Sequence, residues 1–150
     1  MKAKVVWGGE LKFTGVADSG FEVKMDTRIE SGGGDSAVRP TELVAIAVGG
    51  CTAMDVISIL QKKRLDVTGF EVIVYADRAM DHPRKFIGMT LEYVVTGRNI
   101  DPEAVERAVQ LSENKYCSVT NTLKGNVDFK TKITIKEPET ASSQGAAQPD

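Results

Sequence analysis

Residues Leu43 to Val56 read LVAIAVGGCTAMDV, an apolar helical stretch broken by two adjacent glycines and then a cysteine. Between Leu43 and Ile59 the apolar side chains fall on nearly every side of a helix, so one buried face would not satisfy them. The 150 residues are expected to make one domain with a real core, yet a chain of this size has difficulty enclosing such a helix completely. A second subunit is the expected cover. Each glycine inside a helix costs about 1 kcal/mol relative to alanine, so Gly49 and Gly50 need a reason. Ala45, Gly49 and Ala53 recur every four residues, a small-residue stripe that would let another helix approach closely. The missing side chains would also open room beside Cys51.

The flanking sequence supplies strands and a second helix. KAKVVWGGELKFTG predicts a hairpin turning at Gly8-Gly9, with Trp7 packing on the sheet, and GFEVKMDT alternates in the period-2 pattern of a half-buried strand. SGGGDSAVRP predicts a flexible loop ending at Pro40, whose fixed φ suits the first position of a helix running to about Leu65. Glu42 in the first turn and QKKRL at the end both agree with the helix dipole. Two strand-like runs follow, separated by DHPR, a turn that places His82 in solvent. Ile87, Met89, Leu91, Tyr93 and Val95 share one face of the second run. Asp101 and Pro102 open another helix, with Val105, Ala108, Val109 and Ser112 on its inner face. The last strand carries Val127, Phe129, Ile133 and Ile135 on one side. The predicted order is βββ–α–ββ–α–β, an α+β domain over residues 1–136, and the polar residues 137–150 read as a disordered tail.

Composition narrows the function. The 19 basic and 21 acidic residues are nearly balanced, and no basic block points to nucleic acid. The N-terminus lacks the apolar core of a signal peptide. The longest apolar run, Leu43 to Met54, falls short of the roughly 20 residues a bilayer needs, so a cytoplasmic protein with no membrane partner is expected. With two cysteines and one histidine, neither cysteine has a partner at metal-ligand spacing, and no metal or cofactor is expected. On the residues alone Cys51 and Cys117 read first as small buried hydrophobes, the commoner role of a free cysteine, and second as reactive thiols. For Cys51 to react, a cation must reach it and favour the thiolate; Arg28 and Arg39 are the nearest in sequence.

Three blocks, RPTELVAIAVGGCTAMDV, DHPRKFIGMTLEY and NKYCSVTNTL, resemble the OsmC/Ohr family of thiol peroxidases in order and spacing. The resemblance runs from about Trp7 to Ile135. It implies an intertwined homodimer whose sheets wrap two long central helices. It implies Cys51 as the thiol that attacks a small hydroperoxide, organic or hydrogen peroxide, and Cys117 as the thiol that resolves the sulfenic acid into a disulfide. An external dithiol would then reduce that disulfide. The family also places an arginine and a glutamate at the thiol, for which this chain offers Arg39 and Glu42. The family glutamate directly follows the proline, where this chain has Thr41. Nine residues at about 100° each put Glu42 opposite Cys51 on a straight helix. A dimer that binds ligands or senses redox state without turnover is the alternative.

Overall fold

A computed structural model describes residues 1–139, so the expected tail from residue 140 to 150 lies outside the described residues. The elements are β1 (Ala3–Trp7), β2 (Phe13–Ala17), β3 (Glu22–Met25), α1 (Pro40–Lys62), β4 (Asp66–Arg78), β5 (Phe86–Arg98), α2 (Pro102–Leu111), α3 (Ser118–Leu123) and β6 (Asp128–Lys136). The α+β order matches the sequence reading with one addition. The connection CSVTNTL forms α3, too short to carry a helical period of its own. Two compact units divide the chain, Met1–Val48 and the stretch from Gly49 onward, with α1 running through the boundary.

In the first unit β1, β2 and β3 form an antiparallel meander, with Trp7 opposite Phe13 and Phe13 opposite Met25. The hairpin turns where expected: Gly9 and Glu10 both take positive φ, and Trp7 Nε1–H donates to the Glu10 carbonyl at 2.8 Å. Trp7 is therefore exposed and pins the turn, rather than packing on the sheet. The glycine-rich loop is anchored, contrary to expectation. Asp26, 2 % exposed, accepts from the amides of Thr27, Gly34 and Ser36 and from Ser36 Oγ–H. A Cβ on Gly33 would lie 2.2 Å from the Thr27 carbonyl oxygen, so only glycine lets the loop close this tightly.

In the second unit β4 pairs antiparallel with β5, and β6 pairs parallel with β5, which is therefore central. Its expected face holds from Met89 to Val95, while Ile87 is exposed at the strand end. Glu92 and Val94 are buried too, so the other face is also covered. Glu92 is tolerated there because Lys132 Nζ, Thr134 Oγ1–H and Tyr75 O–H all donate to it. A parallel pair cannot be joined by a hairpin, so residues 99–127 cross over through α2 and α3. Asp101 caps α2 by accepting from the Glu103 amide, and Ala104, Val105, Ala108 and Val109 form its buried face.

Along α1, Val48, Thr52, Val56 and Leu60 recur every four residues and are fully buried. Ile46 and Met54 are 60 % and 73 % exposed, so burial all round is not met within one chain. The 23-residue helix is long and apolar enough to cross a membrane by length and composition, although only 28 % of its most apolar stretch is buried.

Candidate functional site

Cys51 and Asp55 lie one turn apart on α1, and so share a face. Cys117 comes from the crossover. After α2 the chain makes a π-helical turn over Ser112–Tyr116 and breaks to an extended conformation at Cys117, which caps α3. The Cys117 sulfur takes the place of the usual N-cap oxygen: it accepts from the Thr120 amide at 3.4 Å and contacts Thr120 Oγ1 at 3.1 Å. Its backbone is held on both sides, its amide donating to the Ser112 carbonyl and its carbonyl accepting from Asn121 Nδ2–H. Both thiols are free, Cys51 half-buried and Cys117 buried. The two sulfurs and a carboxylate oxygen of Asp55 lie within 4.8 Å of one another.

Burial pushes the Cys117 thiol up, and the neighbouring Cys51 adds to the shift. Cys117 is thus held as a thiol. Two sulfurs and one oxygen also make a three-donor cluster, which spacing along the sequence had argued against. It is one donor short of a closed tetrahedral metal site, and Asp55 already accepts from Ser112 Oγ–H at 3.0 Å.

Behind the thiols lies a buried row of hydroxyls. Thr52 Oγ1 contacts Ser112 Oγ at 2.9 Å and Tyr93 O–H at 2.8 Å, and Tyr93 also reaches Glu113 Oε1 at 3.1 Å. Thr131 Oγ1–H donates to the same Glu113 oxygen at 2.7 Å. Burial raises the Tyr93 phenol far above its ordinary value, so it stays protonated. Sequence reasoning missed Asp55, Thr52, Ser112, Tyr93 and Glu113 as site residues. Asp55 alone carried a signal, as a carboxylate four residues after a cysteine in an otherwise apolar helix.

Arg39 and Glu42 belong to the first unit and pair with each other. Arg39 Nη1–H donates to Glu42 Oε1 and Nη2–H to Asp35 Oδ1, each at 2.5 Å. Glu42 Oε2 also accepts the Arg39 amide at 2.9 Å, the third-residue carboxylate of a capping box at the start of α1. That amide, followed by the guanidinium, holds the Glu42 carboxyl below its usual range. Arg39 Nε is buried with no hydrogen-bond partner among the described residues. The structure thus brings Cys51 together with Cys117, and Arg39 together with Glu42, as two pairs in different units. His82 is exposed in its turn, as expected.

Gly49 and Gly50 have separate explanations. A Cβ on Gly49 would meet Val74 Cγ2 at 3.0 Å, so this glycine lets α1 lie close to β4 rather than to another helix. A Cβ on Gly50 would have nothing within 4 Å among the described residues outside its own helical turn.

Residues 32–132 match the family described as OsmC-like protein. Protein YhfA of Escherichia coli strain K12 is 44 % identical over 129 residues, which cover 86 % of this chain and 93 % of that protein. A hypothetical protein from Aquifex aeolicus VF5 superposes with a TM-score of 0.80 at 28 % identity, over 92 % of this chain and 97 % of that one. An organic hydroperoxide resistance protein OsmC from Legionella pneumophila shares the fold, with a TM-score of 0.67 at 18 % identity over 89 % and 95 % of the two chains. The family match, the 44 % identity and the shared fold together place this chain in the OsmC-like protein family.

Proposed function

We propose that the chain is a cysteine-dependent peroxidase acting as a homodimer on small hydroperoxides. The observation that carries this reading is the approach of the Cys51 and Cys117 sulfurs to within 4.8 Å of each other, with Asp55 beside them. Two free thiols at that distance suit reversible oxidation, and the organic hydroperoxide resistance protein that shares the fold supports a hydroperoxide as the oxidant. The Cys51 thiolate attacks the terminal peroxide oxygen and breaks the O–O bond. One alcohol, or one water from hydrogen peroxide, leaves, and Cys51 is oxidised by two electrons to a sulfenic acid. Cys117 attacks that sulfur and expels water, forming a disulfide that an external dithiol reduces in the cytoplasm. Arg39 is the proposed cation and Glu42 the carboxylate that orients it.

The exposed Ile46 and Met54 on α1 support a second copy of this chain as the cover, since they belong to a helix too apolar to remain open. Light scattering on the purified protein should therefore give a dimer. Hydroperoxide consumption with a dithiol reductant tests the chemistry. Wild type should turn over, Cys51→Ser should not, and Cys117→Ser should accumulate a trappable sulfenic acid on Cys51. Equal slow consumption by wild type and Cys51→Ser would overturn the peroxidase reading.

One observation favours a second reading, a redox-sensing dimer without turnover: the Arg39 guanidinium is already held by two carboxylates, Asp35 and Glu42. In that case one equivalent of peroxide forms the disulfide, and added dithiol gives no sustained consumption.

A further inference from the structure

Asp55 and Glu113 are joined through three hydroxyls in single file. The order is Asp55, Ser112, Thr52, Tyr93, Glu113, with oxygen–oxygen distances of 3.0, 2.9, 2.8 and 3.1 Å. These are four links, and the three hydroxyls hold three protons. An ionised carboxylate only accepts, so Ser112 gives its proton to Asp55 and Tyr93 gives its proton to Glu113. Thr52 is left with one proton for two neighbours that have none to offer it. Thr52, Ser112 and Tyr93 are all fully buried, where an unmade hydrogen bond is costly and no solvent fills the gap. One added proton removes the deficit. A protonated Asp55 donates to Ser112, Ser112 to Thr52, Thr52 to Tyr93 and Tyr93 to Glu113, and every link is filled in one direction.

We infer that this row is a proton store wired to the thiols, with Asp55 as its port and Glu113 as its far end. Its part in turnover rests on the peroxidase reading. The Cys51 thiol passes its proton to Asp55 and fills the empty link, and the remaining thiolate attacks the hydroperoxide. The O–O bond breaks, sulfur takes the terminal hydroxyl, and the alkoxide leaves with the proton from Asp55 as an alcohol. The emptied port then accepts the Cys117 proton. Cys117 sulfur bonds to Cys51 sulfur, and the departing hydroxide takes that proton as water. Asp55 faces Cys51 from its own helix and Cys117 and Ser112 from the crossover. Glu113 faces Tyr93 from β5 and Thr131 from β6, and Lys124 Nζ–H donates to the Glu113 carbonyl.

Alkylation of Cys51 by iodoacetamide in the reduced dimer, read by mass spectrometry near pH 6, tests the store without any peroxide. In Glu113→Gln the amide N–H donates to Tyr93 and fills the row without a proton. In Thr52→Val each carboxylate keeps one hydroxyl of its own and no deficit remains. Each single variant should slow Cys51 alkylation by about tenfold, the order of effect of one buried hydrogen bond gained or lost. The double variant should be no slower than either single, and Thr52→Ser, which restores the hydroxyl, should react at the wild-type rate. Wild-type reactivity in Glu113→Gln would overturn the inference, as would independent, multiplying losses in the double variant. This alkylation pattern without hydroperoxide turnover keeps the store and loses the peroxidase reading. Turnover without the pattern loses the store alone.

Discussion

Gly49 and Val74 meet across the helix–sheet contact so closely that a Cβ on the glycine would lie 3.0 Å from Val74 Cγ2. Valine is stiff at χ1 and cannot turn that methyl away cheaply. Gly49→Ala should therefore give up the roughly 1 kcal/mol of helix propensity it gains and destabilise the chain by about 1–2 kcal/mol through overpacking. Gly50→Ala meets nothing within 4 Å among the described residues outside its own helical turn and should keep the propensity gain in the folded monomer. Urea unfolding of both variants checks the contrast. If Gly50 faces a second copy in the dimer, Gly50→Ala also shifts the dimer midpoint to higher protein concentration.

Cys117 and Tyr93 are both held protonated by burial, so their folded pKa values lie above the unfolded ones. Their contribution to stability is fully present below the unfolded values, about 8.5 and 10, and is lost as pH rises through the folded values. The reduced protein should accordingly lose thermal stability on the alkaline side, and Tyr93→Phe should flatten that loss. Limited alkylation at neutral pH should label half-buried Cys51 well before Cys117.

Asp26 has the opposite sign. Its carboxylate accepts four hydrogen bonds, those of Ser36 Oγ–H and the Thr27 amide foremost, and its pKa is held far below the ordinary carboxylate value. The stability it contributes is present above the unfolded pKa of about 3.9 and is lost as pH falls toward the folded one. Asp26→Ala should lower Tm at neutral pH and should lose less than wild type between about pH 5 and about pH 3. Proteolysis should then cut the glycine-rich loop, which has lost the atom it closes around.

Arg39→Ala should reduce hydroperoxide turnover by about 100-fold if its guanidinium serves the transition state, in line with the loss of one well-placed donor. Glu42→Gln keeps a capping acceptor for the Arg39 amide but loses the charge, so it should retain the helix by circular dichroism while lowering the rate. A variant pair that changes stability and leaves the rate untouched would reassign both residues to capping alone.

Local pattern carried much of this fold. Period-2 alternation marked β3 and most of β5, and Asp101-Pro102 marked the start of α2. Cys51 stood out because thiol and glycines share one apolar helix. What sequence left hidden was assembled by tertiary contact. Thr52, Tyr93 and Ser112 read as ordinary core positions, because a buried hydroxyl in a strand or helix has the same spacing as any inward residue. Their link to Asp55 and Glu113 depends on the π-helical turn at Ser112–Tyr116, which no periodicity announces. The apolar pattern of α1 records how much surface needs cover and not which chain supplies it, and within one chain Ile46 and Met54 stay exposed.

The parallel pairing of β6 with β5 sets an order of assembly for the chemistry. Cys117 lies on the crossover that this pairing closes, and Thr131 of β6 reaches the same Glu113 as Tyr93 of β5. Both thiols precede residues 128–136 in the chain, yet the frame that holds the second against the first is complete only when those residues pair with β5. The pairing is non-local and is formed late, after the loop between its strands has closed. The two thiols are therefore held side by side only once β6 has paired, and the topology disfavours their cross-linking in a partly folded chain.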